Sequence, residues 1–385
     1  MHYKVFLDTN IYDTANYSFR NGLFTQLRNY AQNGDLELQI NSVVKGEVSR
    51  HISQRIKKTA RNLNQILSSQ EFQLFRTIPE YENRMQTFSP SEWVDTALTE
   101  FENLLVDCKA EVITNNGIDV EGMVEDYFEL RYPFEEAKKD EFPDAITVRA
   151  IAQEINRLSS GQKWFSDYIG ADKVADDLIY CIVSGDNGFC TAINQTVGNR
   201  PNEDVKLFSS LNELINFFTI QDEKAAELQE KLDNGYLKAL IKTTIEEGVS
   251  GAAYNVDDLD GYVDDVSNLG TDNYSYNAFV VGLQEMSNGT TAARIYVDVQ
   301  YDVRLEYSFL NATESYWDKE DHAYLWTVMT DKEAVFRAET SLLFMVSISS
   351  DGEVAFEDYI EMPTDIDLYD VDMIELVSCE NRDSF

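Results

Sequence analysis

Two short apolar runs constrain this chain most: YKVFL at residues 3 to 7 and LIYCIVS at 178 to 184, each closed by a turn and an aspartate. Runs of this kind read as strands buried on both faces, the habit of parallel sheets. A third, LELQI at 36 to 40, precedes Asn41 and Ser42 as helix caps and a helical pattern from Val43 to Leu67. A further strand is expected at Val205 to Phe208, with SSLNELINFF as a closing helix. From Ser89 to Asp107 a helix is expected, with Trp93, Ala97, Phe101 and Leu104 on one face. Strands alternating with helices predict a parallel α/β sheet.

Beyond residue 221 the period changes. Asp222 to Gly248 reads as one charged amphipathic helix, and ARIYVDVQYDVRLEYSF then alternates, with Ile295, Val297, Val299, Tyr301, Val303, Leu305 and Tyr307 facing one way. Similar runs at 278 to 285, 339 to 349 and 353 to 361 predict a small sheet packed on that helix. At 385 residues two domains are expected: an α/β domain over 1–221, and a smaller acidic α+β domain over 222–385.

The formal net charge of -38 argues against a surface that grips nucleic acid everywhere. It is uneven: residues 222–385 carry 36 acidic and 10 basic side chains, against 33 and 21 before them. Four cysteines without a CxxC pair and three histidines give no zinc spacing. The N-terminal apolar run is too short for a signal peptide or a membrane span, so a soluble, cytoplasmic protein is expected.

In open parallel sheets, ligands gather at the carboxyl ends of strands where the chain order reverses. Asp8 and Asp186 follow two strands at such ends. Asp144, in KKDEFPDAITVRAI, falls in the first turn of a predicted helix on the face of Val148, Ile151 and Ile155, where a carboxylate is costly unless something positive meets it. Glu47 sits early in the helix after LELQI. Oxygen-only ligands of this kind select Mg²⁺ or Mn²⁺.

Taken in order, VFLDTNIY, VVKGEVSRH, EFPDAITV and IVSGDNGF resemble the motifs of the PIN-domain nucleases, closer to the larger bacterial members than to the compact toxin type. The resemblance covers about residues 1 to 220. It implies a three-layer α/β/α fold with a central parallel sheet, and metal-dependent hydrolysis of phosphodiesters, in RNA more than DNA. On that resemblance Asp8, Glu47, Asp144 and Asp186 hold the metal, and Asn10 orients the first ligand or a metal-bound water. Asp140 and Glu141 are either further ligands or a solvated pair.

Lys45, Arg50, His51, Arg55, Lys57, Lys58 and Arg61 form the most basic stretch, on the helix of Glu47, and read as phosphate contacts or a solvated face. Lys138 and Lys139 are weaker candidates. The segment NVDDLDGYVDDVSNLGTD offers Asp258, Asp260 and Gly261 at calcium-loop spacing, but Val256 and Ser267 occupy the positions that need carboxylates. Two other functions stand beside the nuclease. A haloacid-dehalogenase-like phosphohydrolase needs a second aspartate where Asn10 stands. An inactive PIN-fold binding module would leave the acidic domain as the interaction surface, for a second copy or a basic protein partner. In an active nuclease that domain could restrain cutting by competing for the basic helix.

Overall fold

The structure, a computed structural model, describes the whole chain except residues 1, 21, 70–89, 135–140, 170–177, 198–204, 258–262, 286–289, 312, 319–322, 350–351, 370–371 and 384–385. Two compact units, Met1–Ile215 and Asn216–Phe385, divide it.

Five parallel strands form the centre of the first unit: β1 (His2–Leu7), β2 (Leu36–Asn41), β3 (Glu111–Ile113), β4 (Leu178–Val183) and β5 (Val205–Phe208). Their spatial order is β3-β2-β1-β4-β5. The chain moves outward from β1 to β3 and then returns to the other side of β1 with β4, so order reverses between β1 and β4. Val5, Phe6, Leu7, Cys181, Ile182 and Val183 are fully buried there, which is why both strands read as unbroken apolar runs. The helices are α1 (Thr9–Thr14), α2 (Gly22–Asn33), α3 (Ser42–Ser68), α4 (Pro90–Asp107), α5 (Val120–Glu129), α6 (Phe142–Ile169), α7 (Asn187–Val197) and α8 (Leu211–Thr219). With the sheet they make a three-layer α/β/α fold.

Two features depart from the pattern reading. The buried face of α4 is Val94, Phe101, Leu104 and Leu105, while Trp93 is 37 % exposed. Phe101 fixes that rotation by packing edge-on to Tyr12 and stacking on Phe19. The short β3 and helix α5 were not expected: β3 has two exposed residues of three, and α5 starts from Asp119, whose side chain accepts from Gly122 N at 2.9 Å.

In the second unit, α9 (Glu223–Asp233) and α10 (Lys238–Ser250) replace the single expected helix, the break carrying Gly235 at φ +74°. The strands are β6 (Ala253–Asp257), β7 (Val263–Glu285), β8 (Thr291–Leu310), β9 (Tyr316–Asp318), β10 (Ala323–Trp326), β11 (Val328–Ile348), β12 (Val354–Glu361), β13 (Asp365–Tyr369) and β14 (Met373–Asp383). The main sheet is antiparallel, in the order β12-β11-β8-β7, with β14 also paired to β11. Ile295, Val297, Val299, Tyr301, Val303, Leu305 and Tyr307 are all buried, and they share a core with Leu228, Ile241, Ile245 and Val249 from the two helices. Gly248 lets α10 approach closely, since a Cβ there would lie 2.2 Å from Leu342 Cδ2. Asp258, Asp260 and Gly261 lie outside the described residues, as do Asp140, Lys138 and Lys139. Among the described residues no helix is long and apolar enough to cross a membrane.

Candidate functional site

Asp8 begins where β1 ends, at the reversal of strand order. Its backbone N–H bonds Val183 O at 3.0 Å, extending the ladder to β4 by one residue. The side chain is a helix cap as well as a candidate ligand: Oδ1 accepts from Thr9 N at 2.7 Å. Oδ2 accepts from Ser184 Oγ at 2.6 Å and from Asn10 Nδ2 at 2.7 Å. Asn10 also donates to Ser184 Oγ at 3.1 Å and accepts from Gly185 N at 3.1 Å. It therefore ties the β1 end to the β4 end and holds the Asp8 carboxylate.

Asp186 is built the same way at the neighbouring strand. Its Oδ1 accepts from Gly188 N at 2.6 Å and Phe189 N at 3.1 Å, capping α7, and its own N–H donates to Ser184 Oγ at 3.1 Å. Plain turn chemistry and a place beside Asp8 are thus both true of this residue. Glu47 is held through Thr9, whose Oγ1 donates to Glu47 Oε2 at 2.9 Å. Asn41 caps α3 by accepting from Val44 N at 2.8 Å, and its Nδ2 donates to Thr147 Oγ1 at 3.0 Å. That bond joins the start of the Glu47 helix to α6, three residues beyond Asp144.

Electrostatics link the acids. Burial pushes the Asp8 carboxyl up to about 6, and the charges of Asp186 and Glu47 push the same way, against the bonds from Ser184 and Thr9 N that lower it. Burial also raises Asp144 well above the carboxylate range, helped by Asp8, by a hydrogen bond to Glu141, and by the charges of Glu141 and Glu47. Asp8 is the common neighbour: Glu47, Asp144 and Asp186 all act on it or are acted on by it. Among the described residues, no three Asp, Glu, His or Cys side chains are drawn together closely enough to hold a metal ion as they stand. Repulsion among four carboxylates opposes such closure in the bare protein. As a donor set they fit a hard divalent cation, being all oxygen and too anionic to share a cleft comfortably without one.

Sequence reasoning missed Ser184 and Thr9. Both lie inside the motifs that point to Asp8 and Asp186, but neither carries charge, and only the fold reveals that one hydroxyl serves Asp8, Asn10 and Asp186 together.

The basic stretch on α3 divides into engaged and available cations. Lys45 pairs with Glu102 at 2.8 Å, His51 meets Asp13 at 3.0 Å, and Arg55 donates to Asn16 Oδ1 at 3.2 Å with its guanidinium over the Tyr17 ring. Arg50, Lys57, Lys58 and Arg61 are exposed and have no ion-pair partner among the described residues. At 100° per residue these four fall within about 100° of arc that includes Glu47, away from the buried stripe of Val44, Val48 and Ile52.

Residues 5–165 match the family model described as PIN domain, a span that contains Asp8, Glu47 and Asp144 and ends before Asp186. No curated protein and no solved structure matches the chain.

Proposed function

Residues 5–165 are a PIN-domain segment, and from that premise we propose that the first unit is a divalent-metal-dependent endonuclease hydrolysing phosphodiester bonds in cytoplasmic RNA. PIN domains are generally nucleases. The observation that carries the reading is Asp8, buried at the reversal of strand order and electrostatically joined to Glu47, Asp144 and Asp186. Those four carboxylates would hold Mg²⁺ or Mn²⁺, which when bound activates water and neutralises charge on the phosphate. Asn10, Ser184 and Thr9 keep Asp8 and Glu47 in place. Glu141 shares a hydrogen bond with Asp144, so it acts as a neighbour to that acid. Arg50, Lys57, Lys58 and Arg61 contact the phosphates of the strand, over about 17 Å of helix from the first to the last.

The test is cleavage of single-stranded RNA and DNA with Mg²⁺, with Mn²⁺ and with EDTA, by wild type and Asp8→Asn. Metal-dependent cutting of RNA, lost in a folded Asp8→Asn, is expected. Full activity in that variant overturns the mechanism.

A second reading is a PIN fold that binds without cutting, for which the exposed cations Arg50, Lys57, Lys58 and Arg61 of α3 would serve without the acids. Strand binding with no cleavage under either metal would select it. The acidic excess of residues 222–385 supports either electrostatic restraint of the nuclease or docking of a basic partner.

A further inference from the structure

Helix α6 presents Asp144 on one face and Arg149, Gln153 and Asn156 on the opposite one. These three line a cavity of about 510 Å³ whose facing wall includes Tyr132, Gln195 and Thr196. The volume lies in the range of small-ligand sites and is too small for a protein segment of any length.

Its charges are already balanced. Arg149 Nη2 donates to Asp126 Oδ2 at 2.6 Å and its Nε to Asp119 O at 2.9 Å, while Arg131 Nη1 donates to Asp126 Oδ1 at 3.0 Å. Two arginines against Asp119 and Asp126 leave no surplus positive charge for a phosphate or carboxylate. The neutral part of the lining is the carboxamides of Gln153 and Gln195 and the half-exposed ring of Tyr132, the Thr196 hydroxyl being committed to Ala192 O at 2.8 Å. Carboxamides carry donor and acceptor side by side, the pattern that reads the edge of a heterocycle, and an exposed ring gives that heterocycle a face to stack on. Several members are fixed in advance. Arg149 is only 11 % exposed, and Gln153 Nε2 donates to Asn116 O at 2.9 Å, so these two lose little side-chain entropy on binding, whereas the exposed Gln195 is ordered by the ligand.

We propose that this cavity takes one nucleobase of the strand that passes the acidic site and gives the enzyme a base preference. The inference rests on the nuclease reading. Arg149 and Gln153 stand five and nine residues beyond Asp144, about 8 and 14 Å along the helix. The cavity is also on the far side of α6, a helix about 10 Å across, so the strand passes around the helix and the base that is read lies several nucleotides from the bond that is cut.

The test uses the full chain as Asp8→Asn with Mg²⁺, so that strands bind without being cut, and fluorescein-labelled 12-nucleotide single-stranded oligo(A), oligo(U) and oligo(C), with a guanine-containing mixed strand. One base type is expected to bind about tenfold tighter than the others. Adding Tyr132→Ala with Gln195→Ala should bring it down to their level, while Tyr132→Phe, which keeps the ring, retains the preference. Melting temperature identifies any variant that fails to fold, and Tyr132→Phe then carries the comparison with Gln195→Ala alone. Equal affinity for all strands, or a preference that survives the double substitution, overturns the proposal. Nucleoside monophosphates form a further arm: Tyr132-dependent binding of a free nucleotide, with strand affinities unaffected by the substitutions, overturns the strand-base assignment in favour of a free ligand. A base preference that follows Tyr132, together with a wild-type chain that cuts none of the strands under Mg²⁺ or Mn²⁺, upholds the pocket and sinks the nuclease reading alone.

Discussion

Ser184 Oγ donates a 2.6 Å hydrogen bond to Asp8 Oδ2 and accepts one from Asp186 N at 3.1 Å, so a single hydroxyl sits between the two strand-end acids. Ser184→Ala keeps the volume but leaves the Asp186 N–H without that acceptor and removes one of the bonds that lower the Asp8 pKa. The expected cost to stability is about 1–3 kcal/mol. Cleavage should fall at least tenfold and need more Mg²⁺ for half-maximal rate, since Asp8 is then harder to ionise. A Mg²⁺ titration of the rate checks this, and a curve that overlays wild type would show the hydroxyl to be structural only.

Asp8 also sets a pH dependence of stability without metal. Its pKa of about 6 in the folded chain lies above the ordinary 3.8, so between those values the folded state keeps a proton that the unfolded state has released. The contribution is fully favourable below about pH 4, is lost as pH rises through 6, and is flat above. Two pKa units correspond to about 3 kcal/mol. Asp8→Asn removes that penalty but turns an amide N–H₂ toward the Asn10 and Ser184 donors, an offset of about 1–2 kcal/mol. In EDTA, Asp8→Asn should melt higher than wild type at pH 8, and the gap should close by pH 4. A gap that does not change with pH rules out the buried-carboxylate explanation.

Salt dependence separates the available cations of α3 from the engaged ones. Replacing Lys57, Lys58 and Arg61 with alanine should flatten the slope of log binding constant against log salt for single-stranded RNA by about 2, at roughly 0.7 per phosphate contact. Lys45→Ala, which removes a cation paired with Glu102, should change the slope by much less. Equal effects from the two replacements would mean that the ion pair does not withhold Lys45 from the strand.

Gly248→Ala tests the packing of α10 on its sheet. Alanine is the better helix former by about 1 kcal/mol, yet its methyl would meet Leu342 Cδ2 at 2.2 Å and Tyr359 Cε1 at 3.2 Å, with Leu342 itself buried. Overpacking should win, for a net loss of about 1–2 kcal/mol. Denaturant unfolding measures it, and a stabilised variant would mean that Leu342 has room to turn away.

The strands that carry Asp8 and Asp186 were legible because a strand buried on both faces has few polar residues until its end, so the first carboxylate marks the sheet edge. The alternation of β8 was legible for the complementary reason, one face being core. Helix α5 and strand β3 were not, because their sides are largely exposed and their residues obey no burial period. Ser184 escaped because hydroxyls occur everywhere, and the cavity beside α6 because Gln153, Asn156 and Gln195 look like ordinary surface residues until two separate helices, α6 and α7, bring them together. The break at Gly235 was visible as NG in the sequence, but the helical period on both sides of it was the stronger pattern.

The ladder between β7 and β8 is interrupted by four register shifts, while the ladder between β8 and β11 runs unbroken through twenty paired positions. A strand of twenty residues is about 68 Å long, and over that distance many misalignments of the same partners offer nearly as many hydrogen bonds. What tells them apart is side-chain facing: sliding β8 by one residue turns Ile295 through Tyr307 from core to water in a single move. The uninterrupted ladder thus has a sharp internal check on its own alignment during folding, and the bulged one adds irregular spacings that only a single offset can satisfy, like wards cut into a key.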